Sequence, residues 1–295
     1  MNYAAALAFL VAAAAAPAQT FSFEVASIKQ ALPLSVEGIQ AGRFHLGMDT
    51  NGTRADYGFV SLADLIAYAY RVKCYQVAGP GWINETRWDI EATIPAGQPA
   101  DRAPEMMQRF LAARFHLAIR RQHHEQSVLA LAVRKGGPQI HKAEEETSSA
   151  AVPENGLSSL HLNMEAGHMA FSGGSLGTMR ISPGPNGIRI EMPAVTMAAL
   201  AGMLMHFTDR PIVDATGLKG AFQVTLNFPA DLMTDVPAAQ KLTAFLGLNS
   251  LGAVPDTWSP AIVQAVKDLG LELTPRKDLV ETIVVDRLDR MPTPN

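Results

Sequence analysis

Residues Phe44–Leu65, FHLGMDTNGTRADYGFVSLADL, align without a gap to Met179–Leu200, MRISPGPNGIRIEMPAVTMAAL. Six of the 22 positions are identical, among them Asn51 on Asn186, Gly52 on Gly187, Arg54 on Arg189, Val60 on Val195 and Leu65 on Leu200. Each copy reads as strand, Asn-Gly turn, strand, because Asn-Gly supplies the two positive φ angles of a tight hairpin. A hydroxyl N-cap follows, Ser61 or Thr196, and then a helix with its apolar side chains on one face. That face is Leu62, Leu65, Ile66, Ala69 and Tyr70 in the first copy and Met197, Leu200, Ala201, Leu204 and Met205 in the second. Asp64 completes a capping box with Ser61, whereas Ala199 has no side chain that does so.

Working outward, KCYQVA (Lys73–Ala78) and RPIVDA (Arg210–Ala215) read as short strands entering glycine turns, GPGW and TGLKG. A longer strand follows in each, RWDIEATIP from Arg87 and AFQVTLNFP from Ala221. Ala103–Val133 then aligns with Ser259–Asp289, with Pro104 on Pro260 and Gln108 on Gln264. Both stretches read as a helix opened by proline and then two strands. The expected fold is therefore α+β: two related units from an internal duplication, each a β-hairpin followed by βαβ and αββ elements, with small sheets each packed by two helices. The first unit is residues 19–138 and the second 179–295, with an insertion at 231–258 that carries a short helix around Ala238–Leu246. The acidic, Ser- and Gly-rich residues 139–178 read as a linker or mobile insertion, and the strand at Phe21–Gln30 should join one of the sheets.

The N-terminus predicts export. Tyr3–Ala16 is an unbroken apolar run, too short to span a bilayer, and Ala16-Pro17-Ala18 is a signal-peptidase site. Residues 1–18 are thus expected to be a signal peptide, with a mature chain from Gln19 that has no stable membrane span. The chain has 295 residues, 48% hydrophobic and 18% charged, with a net charge of -4, which excludes nucleic-acid binding driven by bulk charge. A single cysteine, Cys74, excludes an intrachain disulfide and a cysteine-built zinc site.

Motifs for catalysis do not assemble. Gly173-Gly174-Ser175-Leu176-Gly177 matches G-x-S-x-G, but a strand-like run follows it where a nucleophile elbow needs a helix. His123-His124-Glu125, placed at a turn between two strands or at their ends, sends its imidazoles to opposite faces. His161, Met164 and His168 have the donor chemistry for copper but lie in the insertion. Arg109, Arg114, Arg120 and Arg121 divide between faces as a solvated surface. Candidate binding residues are Trp82 and Trp88, flanking a short loop, and Asp214, Thr216 and Lys219 in the corresponding turn of the second copy. No cofactor or metal is expected.

FEVASIKQA (Phe23–Ala31), VSLADLIAYAYRVKCYQVAGPGW (Val60–Trp82), RWDIEA, FLAARFHLAIRR (Phe110–Arg121), PIVDATGLKGAFQVTLNF (Pro211–Phe228) and ETIVVDRLDRMP (Glu281–Pro292) together resemble an uncharacterised secreted family of unknown function. That family is expanded in Acidobacteria and typified in Solibacter. The resemblance covers nearly all of the mature chain and implies a signal peptide, a periplasmic or extracellular location and no established activity. In some relatives a similar domain is joined to a membrane-embedded sensor-type metallopeptidase. Each unit is also faintly similar to the short N-terminal domains of secretins and TonB-dependent receptors, which implies binding of a small ligand, peptide or protein. The expected role is a non-catalytic binding or protein-interaction module of the cell envelope, with an envelope protein or peptide as partner. The alternative is an extracytoplasmic hydrolase whose site leaves no motif. The sequence sets no oligomeric state.

Overall fold

The computed structural model describes residues 21–33, 46–143, 161–165, 168–172, 177–184, 187–208, 210–229 and 258–293. It is an α+β fold. Alternation builds its sheets: in β5 (Arg87–Thr93) Trp88, Ile90 and Ala92 are buried while Glu91 and Thr93 are exposed. β13 (Ala221–Pro229) does the same with Phe222, Val224, Leu226 and Phe228. β5 lies between β1 (Val25–Gln30) and β3 (Arg54–Ser61), and β2 (Gly47–Asn51) completes an antiparallel sheet in the order β1-β5-β3-β2. The strand expected at Phe21–Gln30 is β1, and Phe23, Ala26 and Ile28 pack on the core beneath it.

A second antiparallel sheet runs β7-β13-β11-β10-β9-β8. Its members besides β13 are β7 (His141–Lys142), β8 (His161–Glu165), β9 (His168–Ser172), β10 (Thr178–Gly184) and β11 (Gly187–Thr196). Within residues 139–178, read from sequence as linker or insertion, β7 thus pairs with β13 and the β8–β9 hairpin extends the sheet from β10. The expected signal peptide, the Ala238–Leu246 helix and nearly all of the 231–258 insertion lie outside the described residues.

Helix α1 (Leu62–Tyr70) starts where Ser61 Oγ accepts the Asp64 N–H and the Asp64 carboxylate accepts the Ser61 N–H, the reciprocal capping box. In α3 (Met197–Leu204) Thr196 Oγ1 accepts the Ala199 N–H and the return bond is absent. α2 (Ala103–Phe115) packs on α1 over the first sheet, with Met106, Met107, Leu111 and Phe115 fully buried. α3 and α4 (Trp258–Asp268) cover the second. At the corner after α4, Gly270 has φ +72°, and a Cβ there would lie 2.5 Å from the Gly137 carbonyl oxygen, so glycine alone fits.

A third sheet joins the halves, in the order β12-β6-β14-β4. β6 (Ala118–Val133) and β14 (Leu271–Arg287) pair antiparallel from Ala118↔Arg287 to Val133↔Leu271. Here the structure differs from the expectation of two strands after each helix: Ala118–Val133 is one strand. It contains no Gly, Pro, Asn or Asp to make a turn. The exposed polar middle, Arg120–Glu125, suggests a loop but is a ribbon crossing between two cores. Ile283 of β14 belongs to the core of the first half, while Leu129 and Leu131 of β6 belong to that of the second. The exchange is reciprocal: β4 (Val77–Ala78) lies parallel to β14, and β12 (Ile212–Asp214) lies parallel to β6.

The pairing repeats with constant spacing. β3 and β5 break register between Tyr57 and Val60, and β11 and β13 break it between Met192 and Val195, both 135 positions later. Val77↔Ile283 answers Ile212↔Leu129, again 135 apart for the short strands and 154 apart for the long ones. The gapless alignment of Ala103–Val133 with Ser259–Asp289, a spacing of 156, is therefore two residues out along these strands, a shift that leaves every side chain on its face. The hairpin tip also differs from expectation. Asn51 pairs with Arg54, so Gly52 and Thr53 form the tip and only Gly52, φ 60°, has positive φ, as in a turn with glycine at its first central position.

Cleavage at a protease site inserted between Ser148 and Ser149 should leave both halves co-eluting in native size-exclusion chromatography and separating only in denaturant. Separation in native buffer would mean that the ribbon does not hold the halves together.

Candidate functional site

The sequence candidates disperse. Trp88 is 1% exposed and meets the Phe115 ring edge-to-face at 5.5 Å. Trp82, in a helical turn after Pro80, is half-buried beneath the Arg290 guanidinium at 5.2 Å. One tryptophan is core and the other surface, so they do not line one groove. Asp214 Oδ1 accepts from the Thr216 N–H at 2.9 Å and the Thr216 hydroxyl at 2.8 Å, while Thr216 Oγ1 accepts the Leu218 N–H at 3.1 Å. These bonds fold the turn upon itself, and Lys219 stands exposed beside it.

Strand β10 follows Gly177, so G-x-S-x-G leads into a strand, and Gly173–Leu176 lie outside the described residues. His161 and Met164 lie on β8 and His168 on the neighbouring β9. No group of three His, Cys, Asp or Glu among the described residues is arranged to hold a metal. His123 and His124 sit in mid-strand, not at a turn, and face opposite ways. Arg120 pairs with Asp286, and Arg121 NH1 donates to Glu281 Oε1 at 2.8 Å, which holds the Glu281 carboxyl below its ordinary range. Arg114 Nε donates to the Thr293 carbonyl at 2.9 Å, and Arg109 is exposed on α2.

Two constellations come from the structure alone. In the first, Asp64 joins the start of α1 to β5. Its Oδ2 accepts from the Ser61 hydroxyl at 2.7 Å and from Arg87 NH1 at 3.1 Å, and its Oδ1 accepts the Cys74 thiol at 3.4 Å. Arg87 lies 5.7 Å from the Phe59 ring centroid, and Phe59, φ 54°, forms the β3 bulge with its N–H on Asp89 Oδ1 at 3.0 Å. Burial, and next the Asp64 carboxylate, push the Cys74 thiol well above its ordinary value. Raising the thiol's pKa makes it a weaker nucleophile, and the hydrogen bonds tie the start of α1, the following turn and β5 together as a structural lock.

The second is the open edge of β6. Leu129 N–H donates to Pro211 O, and Leu131 O accepts from the Ala215 N–H, so odd-numbered main-chain groups of β6 point away from β14. By strand alternation Arg121, His123, Glu125 and Ser127 point the same way. All four are exposed, and no strand pairs with them there among the described residues. The matching edge of β14 is obstructed. Pro275, 154 positions after Arg121, has no N–H, and the Glu281 carbonyl, matching that of Ser127, accepts Gln76 Nε2 at 2.7 Å. Reading a turn at His123-His124 hid this edge; the missing turn-formers across Ala118–Val133 were the signal for it.

A family model described as a protein of unknown function (DUF3738) matches residues 63–288. The chain belongs to that family. No curated protein and no solved structure matches it. No helix among the described residues is long and apolar enough to cross a membrane.

Two measurements address the lock. Asp64→Ala should cost about 2 kcal/mol of stability, because the α1 cap, the Cys74 thiol and the Arg87 guanidinium each lose an acceptor; a loss below about 0.5 kcal/mol would contradict the cluster's role. A raised folded pKa means that Cys74 supports folding fully below the ordinary thiol value of 9.0 and that this support is lost as pH rises toward the folded value. Stability in denaturant titrations should therefore fall from pH 8.5 to 10 in the wild type and fall less in Cys74→Ala. Parallel curves would contradict the enclosed thiol.

Proposed function

We propose that the chain is an exported, non-catalytic protein-interaction module of the cell envelope that takes an extended segment of a partner protein along the open edge of β6. The observation that carries this is the run Arg121, His123, Glu125 and Ser127, four exposed residues whose main-chain donors and acceptors point outward from a strand held rigidly by β14. An exposed edge on a preformed sheet recognises extended chain through main-chain hydrogen bonds. Each bond contributes about 1 kcal/mol, so four outward residues suit a reversible contact. The charged side chains along the ribbon keep the edge soluble while it is empty.

Export rests on the Tyr3–Ala16 apolar run and the Ala16-Pro17-Ala18 site. We further infer that the two units share an origin by internal duplication. Its support is the equal spacing of the β-bulges, of the helix caps Ser61 and Thr196, and of the exchanged strands. Duplication explains the obstructed second edge: one copy kept an edge able to receive a strand, and the other acquired Pro275 and the Gln76 contact.

His123→Pro deletes an outward N–H and no bond to β14. Immobilised wild-type chain and His123→Pro, each verified as folded by circular dichroism, should differ on exposure to envelope extract, with a protein retained by the first and lost from the second. Identical retention would contradict strand addition at this edge.

A further inference from the structure

We infer that the strand received by β6 is β6 of a second copy of this chain, paired antiparallel about His123. This rests on the strand-accepting role proposed for that edge and names its occupant. With His123 opposite its own counterpart, Arg121 of one copy stands directly across from Glu125 of the other, and the symmetry makes that contact twice. Both side chains reach solvent, 48% exposed for Arg121 and 64% for Glu125. Each is already held on the same face of the ribbon, Arg121 by Glu281 and Glu125 by Lys277 at 2.8 Å. The join therefore makes an alternating row, Glu281, Arg121, then Glu125 and Lys277 of the second copy, in which every charge has opposite neighbours. Directly opposed unlike charges favour a strand pair, whereas like charges would oppose it. Sliding one strand by two residues, the smallest shift that keeps the same faces together, would set Arg121 across from His123 or Ser127 instead.

The obstructed edge sets the stoichiometry. A ribbon with two receptive edges propagates into a filament, but Pro275 and the Gln76–Glu281 bond leave the β6·β14 ribbon one receptive edge among the described residues. A single self-complementary edge closes as a two-fold pair.

Sedimentation velocity of the full mature chain, from about 1 to 200 μM, should show reversible dimerisation, given the few main-chain bonds at the contact. Arg121→Glu should weaken it at least about tenfold, and Arg121→Glu/Glu125→Arg should recover most of the loss. Because the first change also faces Glu281, a cysteine readout is paired with it. His123→Cys should form a disulfide-linked dimer on mild oxidation, and Leu279→Cys, on the obstructed edge, should not. A wild type that stays monomeric, or cross-linking no faster at 123 than at 279, overturns the inference. If that monomer still loses an envelope protein on His123→Pro, only the second copy is refuted; if His123→Pro changes neither, the strand-accepting edge is refuted as well.

Discussion

The β6·β14 ladder is the contact on which the rest of this molecule depends. Neither half encloses its own core: Ile283 fills the first from a strand of the second half, and Leu129 and Leu131 fill the second from a strand of the first. Burying such side chains contributes about 2 kcal/mol each, and the long antiparallel pairing fixes their register. A slip of one residue would turn all three out of the cores at once. The exchange of β4 and β12 tightens the same joint from its two ends.

Much of this was legible in residues. Ser61 with Asp64, Pro104, and the alternation of Arg87–Thr93 and Ala221–Pro229 each carry a local physical signal, and each forms the expected element. The reciprocal exchange was not legible, because strands as short as Val77–Ala78 and Ile212–Asp214 have no periodicity that names a partner. The ribbon was hidden for a different reason. Its middle belongs to neither core, so Arg120–Glu125 is polar on both faces and imitates a loop. The candidate binding residues followed residue type, yet Trp88 is consumed by packing and Asp214 by its own turn.

Packing and exposed main chain are separated in space. Asp64, Ser61, Cys74 and Arg87 tie α1, the following turn and β5 into one block with little exposed chemistry. The ribbon exposes main chain between two packed ends that hold it straight. In the proposed strand addition, a strand so fixed meets an incoming segment without first paying the entropy of becoming extended. Charges alternating in sign along it, Arg121 with Glu281 and Glu125 with Lys277, favour a defined register over unspecific pairing.

Residue-resolved amide hydrogen exchange along Ala118–Val133 tests this account most directly. In dilute protein the amides of Gln122, His124 and Gln126, bonded to β14, should be protected, while those of Arg121, His123, Glu125 and Ser127 exchange fast and gain protection only as a strand is added. Equal protection of both sets in dilute protein, or fast exchange in both, would contradict a rigid ribbon with one open edge.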